Sequence, residues 1–437
     1  MRGPAAAGPG GPGGGLDPAL RRALVRTGPL LAGVALLMAG NGMTSTLLGV
    51  RAGLEGFSPT VTGLVLSSYY AGFVAGSLVT PRGIHRVGHV RIFAGLASLA
   101  SAAVLVHAVT PSALTWAALR ATTGLCLAGL FVVTETWMNA AATNATRGGL
   151  LAAYMTVLSG AMAAGQVLLW LADPGGFRAF VLASVLVSLA VVPVSLTPVA
   201  TPEVPELEPM SLGRVTAAAP LAVVGAVASG FVVAAVVATT AVYATLTGLG
   251  VNRTALLVAA PLALAVGVHL PVGRSSDRVD RRRVIVALGL AGGASAVAAG
   301  LVGPGSYATL VGLVAAAGGL AFPLYALSNA HLNDYLPAGS VAAAGARVVL
   351  LNGAGAIAGP VAAAVAMEVV GPGALFALVA VAYGFTAGFA IWRIGRRAPA
   401  GEDERSTYVA FPTGASTAVA RLEPAAPGRG GAPREGS

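Results

Sequence analysis

A carboxylate set among arginines at the edge of an apolar segment can make and break ion pairs. Gly273-Arg274-Ser275-Ser276-Asp277-Arg278-Val279-Asp280-Arg281-Arg282-Arg283 offers that chemistry. Asp277 would sit where the positive end of a neighbouring helix stabilises an anion, and Arg278, Arg281 and Arg282 can bind carboxylates or lipid headgroups. Pro81 to Arg91 repeats the pattern, with Arg82/Arg274, Arg86/Arg278, Val87/Val279 and Arg91/Arg283 at one offset of 192 residues. Such clusters either hold two parts of a molecule together in one conformation or serve only as topology anchors.

A second group of polar residues lies inside long apolar stretches, where polar side chains are costly unless they face partners or a wet cavity. Asn41, Tyr69, Arg120, Tyr154, Gln166, Tyr325, Asn329 and Asn352 are the candidates for a substrate cavity. Arg120 is the sharpest. It stays charged at any physiological pH and lies about 10 Å into its helix at 1.5 Å per residue. It is either an anion-attracting or proton-relay group or a scaffold arginine bonded to carbonyls. No Asp or Glu falls near the middle of an apolar stretch: Glu55 and Glu368 sit at outer ends and Glu135 at an inner one. A proton route through Glu135, one through a bound solute and none at all are equally compatible with this pattern.

These residues need elements that cross a bilayer. Hydrophobic residues make up 56% of the 437, charged residues 10%, and mean hydropathy is +0.81. A soluble chain carries about a quarter charged residues. Twelve runs are long enough to cross as helices: 30–50, 60–80, 91–110, 113–137, 149–172, 178–197, 218–243, 254–273, 284–303, 306–331, 345–369 and 373–394. The net charge of +10 comes entirely from arginine. With both termini inside, all arginines but Arg51, Arg178, Arg253 and Arg120 fall in cytoplasmic segments, which is the positive-inside distribution. The basicity therefore reports topology and excludes a nucleic-acid reading. Cys126 alone forms no intramolecular disulfide or cysteine cluster. No metal-ligand spacing, nucleophile constellation or phosphate loop is present, and without lysine there is no nucleotide-driven pump signature. No enzyme activity, metal or cofactor is expected.

The repeat divides the chain. Val50-Arg-Ala52-Gly-Leu54-Glu-Gly56 aligns with Val242-Tyr-Ala244-Thr-Leu246-Thr-Gly248 at the same offset. The expected organisation is a disordered Gly/Pro-rich tail over 1–28, a six-helix half over 29–197, a Pro-rich extended linker over 198–217, a second six-helix half over 218–394 and a disordered tail over 395–437. The fold class is all-α integral membrane, with twelve helices in two pseudo-symmetric halves and a site between them. Spans 3, 6, 9 and 12 carry few polar groups and read as lipid-facing.

The Gly273, Asp277, Arg278, Arg281, Arg282 pattern between spans 8 and 9, echoed between spans 2 and 3, resembles the signature loop of the major facilitator superfamily. Arg120-x-x-x-Gly124 is similar to that superfamily's second motif. Arg51 to Phe57 and Asp173 to Phe177 resemble its YcaD-like bacterial branch. The resemblance implies a rocker-switch transporter in the bacterial inner membrane, with both termini cytoplasmic and a functional monomer. It would carry a small organic solute, linked to protons, as an exporter. It also implies that each loop grips the start of a helix in the other half. Asp277 would then meet the start of span 5 just after Arg147. The first loop has His85, or Thr80 counted from Gly76, where an acid belongs, so Glu135 is expected to join the cytoplasmic gate and supply charge to Arg82 or Arg86. The alternative is a membrane sensor or accessory protein that keeps the fold without transporting.

Overall fold

The computed structural model describes residues 17–143, 146–196, 210–337 and 340–396. The expected tails before residue 17 and after Arg396, and most of the linker, lie outside the described residues. Within them the chain is helical, without strands. The elements are α1 (Pro18–Leu54), α2 (Pro59–Val87), α3 (His89–Val109), α4 (Ala113–Ala141), α5 (Arg147–Leu168), α6 (Arg178–Leu189), α7 (Val191–Ser195), α8 (Leu212–Ala218), α9 (Pro220–Leu246), α10 (Val251–Arg278), α11 (Arg281–Val302), α12 (Tyr307–Gly319), α13 (Ala321–Asn333), α14 (Val341–Val369) and α15 (Ala374–Ile394).

Among the described residues eleven helical stretches are long and apolar enough to cross a membrane, and one of them, Arg281–Asn333, runs for 53 residues. At 1.5 Å per residue that is about 80 Å of helix, more than twice the hydrocarbon thickness. The chain reverses inside it at Gly303, whose φ of 57° favours glycine, and α11 packs back on α12. Twelve crossings result. Two are broken by proline. α6 gives way to α7 three residues before Pro193 and α12 to α13 three residues before Pro323, because each ring collides with the carbonyl four residues back.

Two boundaries differ from the sequence reading. α1 begins at Pro18, inside the segment read as a disordered tail. Asp17 caps it by accepting from the Ala19 amide at 2.9 Å, and Pro18 supplies a preset φ at the first position. The end of the expected linker is a short helix, α8, capped by Ser211, which accepts from the Arg214 amide.

The duplication extends to backbone detail. Gly56 and Gly248 both have φ of 74°. Phe57 donates to the Ala52 carbonyl at 2.9 Å, and Leu249 donates to Ala244 at 2.8 Å. This is the left-handed helix ending for which glycine is suited. Packing repeats as well: α1 lies on α5 and α6 as α9 lies on α14 and α15, and α2 on α4 as α10 lies on α12 and α13. The halves meet through α2 against α14, α5 against α10 and α1 against α9.

Lipid gives apolar helices little reason to associate, so close backbone approach must supply the contact. A Cβ on Gly72 would run into the Ala121 carbonyl, and one on Gly124 into that of Tyr69. The second half repeats this where Gly230 meets Asn352 and Gly355 meets Val227. Gly72→Val should therefore cost about 1–3 kcal/mol by overpacking, read as lower thermal stability in detergent. Gly95→Val, at an exposed position with nothing within 4 Å, should leave the melting temperature unchanged.

Candidate functional site

Between the halves lies a cavity of about 140 Å³. α1, α2, α4 and α5 line it from one side and α9, α10, α13 and α14 from the other. Among the described residues α3, α6, α11 and α15 contribute nothing to its wall, in keeping with their apolar composition. Arg120, Asn41, Tyr69 and Asn352 face it, four of the eight residues singled out from sequence. Asn352 is also tied to the wall, its Nδ2 donating to the Ala226 carbonyl at 3.0 Å.

The other four are placed elsewhere. Gln166 is fully buried between α5 and α1, its Oε1 accepting from the Thr46 hydroxyl. Tyr325 and Asn329 are buried in α13 without lining the cavity. Tyr154 stands behind the wall and donates its hydroxyl to Glu135 Oε1 at 3.2 Å.

Glu135 is the main displacement. Read from sequence as a gate residue, it is fully buried and lines the cavity with Phe131, one turn earlier on α4. The arginines it was expected to serve lie at the surface: Arg82 and Arg86 are exposed, and Arg82 Nη1 donates back to the Leu78 carbonyl at 3.1 Å. Several further wall residues are apolar (Phe73, Met155, Met162 and Phe322). A search for polar groups passes over them. The helical spacing of Tyr69 with Phe73 and of Phe131 with Glu135 was the available signal.

Arg120 is 3% exposed, and its guanidinium carbon sits 4.4 Å from the centre of the Tyr69 ring. That cation–π contact covers a face of the group. Among the described residues, no acceptor meets its Nε or Nη1.

At the arginine-loop side the repeats differ. Gly273 is buried in α10, a helix that packs on α5, whose first residue is Arg147, while Asp277 and Arg278 are exposed. The adjoining arginines are sequestered. Arg281 Nε pairs with Asp334 Oδ2 at 3.0 Å, both side chains nearly inaccessible, and Nη1 donates to Ser276 at 3.3 Å. Arg282 binds Asp280 through Nε at 3.1 Å and Nη2 at 2.7 Å. Partial burial pushes the Asp280 carboxyl up, but the Arg282 hydrogen bonds outweigh it and hold it below the usual carboxylate range. Asp334 was not picked out from sequence. Its counterpart at the repeat offset is Ala142, so comparing the halves could not reveal it.

The family model of the Major Facilitator Superfamily matches residues 30–270 and 222–417. The chain belongs to the Major Facilitator Superfamily. It is 26% identical over 363 residues to an uncharacterised superfamily transporter of Enterobacter sp. (strain 638), covering 80% of this chain and 91% of the relative. It is also 26% identical to the uncharacterised superfamily transporter YcaD of Escherichia fergusonii, over 59% of this chain and 68% of that one. Among solved structures, the nucleoside transporter NupG superposes with a TM-score of 0.68 at 12% identity, over 86% of this chain and all of NupG. A bacterial homologue of the human lysosomal transporter Spinster, inward-facing and occupied, gives 0.68 at 15%, over 87% and 98%. Identities this low speak for the superfamily fold alone. Family and fold are those of a membrane transporter.

Removing one member of a buried ion pair strands the other charge, at about 3–5 kcal/mol. Arg281→Met should therefore lower the thermal stability of this superfamily member sharply. Arg281→Met with Asp334→Leu should recover most of the loss. Equal melting temperatures for wild type and Arg281→Met would show that the pair does not hold the fold.

Proposed function

We propose that the chain is a secondary active transporter that moves a small organic solute through the central cavity by alternating access. A wall built from both halves supports this reading, because rocking one half against the other would expose the same space to each side in turn. The observation that carries it is Glu135, an acid buried in that wall with a tyrosine hydroxyl on its carboxylate. An ionisable group in such a place is a proton relay or ligand group by default.

In this reading proton movement is linked through Glu135, and export is driven by the inward proton gradient. The protein works as a monomer in a bacterial inner membrane with both termini cytoplasmic. The gate comprises Gly273, Asp277, Arg278, Arg281, Arg282 and Arg147 on one side and Arg82 and Arg86 on the other. Glu135 moves from the gate to the coupling step.

Purified protein in liposomes, given a panel of radiolabelled organic solutes and an imposed pH gradient, tests this directly. At least one solute should move against its gradient when the compartment it enters is acidic, and dissipating the pH difference should stop accumulation. Glu135→Gln should retain solute exchange at equal pH and lose the acceleration by a gradient. Absence of flux across the panel in folded protein would turn the reading to a sensor that keeps the fold.

A further inference from the structure

We infer that Arg120 is the subsite for the carboxylate of an organic monoanion with an apolar body, an inference that rests on the transporter reading above. A guanidinium carries five N–H donors in a plane and no acceptor. The Tyr69 ring, 4.4 Å away, satisfies a face of that plane. It does nothing for donors that point outward within the plane. Among the described residues, Nε and Nη1 of Arg120 are buried without an acceptor, and the residue is 3% exposed. A scaffold arginine at a helix interface would have recruited backbone carbonyls.

This one faces a cavity instead. Each edge of the guanidinium pairs one of these donors with Nη2, and a planar carboxylate matches such an edge with two parallel hydrogen bonds, which beside a largely apolar wall are among the stronger polar contacts available.

The rest of the wall narrows the class. Phe73, Phe131 and Leu158 line the same space, so the solute presents an apolar body beside its charge. Glu135 lies fifteen residues further along α4, about 22 Å at 1.5 Å per residue. An acid at that end of the cavity disfavours a second negative charge on the solute. The inference is therefore confined to monoanions.

The test uses the full-length protein in detergent, with thermal stabilisation as the readout of binding. The probes are phenylacetate and octanoate at millimolar concentration, beside their neutral amides and the corresponding primary amines. The carboxylates should raise the melting temperature, and amides and amines should not. Arg120→Gln should weaken carboxylate binding by about thirtyfold or more, as for loss of one partner of a buried hydrogen-bonded charge pair. Arg120→Lys should restore part of it, since charge returns without the fork. Arg120→Gln also removes an uncompensated buried charge, so it should melt no lower than wild type; if it does not fold, Arg120→Lys carries the comparison. Equal stabilisation by carboxylate and amide, no response to any carboxylate, or undiminished binding in folded Arg120→Gln each overturns the inference. Flux of neutral or cationic solutes alone would overturn it and leave the transporter reading standing. Carboxylate binding without flux of any solute would do the reverse.

Discussion

Everything in this molecule depends on helices that touch backbone to backbone. In hydrocarbon a leucine gains little by leaving lipid for protein, so the gain must come from dispersion at short range and from main-chain proximity. Glycine permits that proximity, and it sits where the principal crossings are: Gly72 and Gly124 between α2 and α4, Gly42 and Gly165 between α1 and α5, Gly230 and Gly355 between α9 and α14. The chemistry is placed by the same contacts. Arg120 lies one turn before Gly124, and Gly124 abuts the Tyr69 carbonyl. The arginine is therefore delivered onto the Tyr69 ring by the crossing itself. A helix pair held even one side-chain layer further apart would lose that stacking.

The duplicated scaffold carries unequal loops. In the second half, Arg281 and Arg282 are withdrawn from water onto Asp334 and Asp280. In the first, Arg82 and Arg86 remain at the surface. A sequestered pair is costly to separate, because each charge must then be resolvated or left stranded. An exposed arginine is worth little wherever it points. Any motion that rearranges the second loop therefore meets a much larger electrostatic barrier than one that rearranges the first.

What was legible beforehand followed from signals that survive without three-dimensional detail. Twelve apolar runs, the 192-residue offset and the Gly56/Gly248 equivalence are properties of composition and periodicity, and the structure follows each. Depth along a helix was legible too: Glu135 does lie toward the arginine-loop end of α4. Its azimuth was not. A turn of 100° per residue puts Glu135 within about 60° of Arg120 around the axis, on the cavity side, and that angle has to be worked out against a known neighbour. Gln166 failed for a related reason. A buried amide looks the same in sequence whether it faces a cavity or, as here, a threonine on the adjoining helix.

The cavity that results is polarised rather than neutral. Arg120 and Glu135 stand about 22 Å apart on one helix, and at that range even an effective dielectric of 20 leaves under about 1 kcal/mol of mutual attraction. Neither can serve as the other's counter-charge, so each has to be satisfied locally. Glu135 has the Tyr154 hydroxyl at 3.2 Å. Arg120 has the face of Tyr69 and, among the described residues, no acceptor on Nε or Nη1. The two ends of the cavity are therefore in different conditions: one holds an acid already hydrogen-bonded to the protein, the other a cation whose donors still lack a partner. The unfilled hydrogen-bond demand in this wall is therefore at Arg120, and a carboxylate bound there, as we infer, would be oriented by that end before any apolar contact distinguishes one body from another.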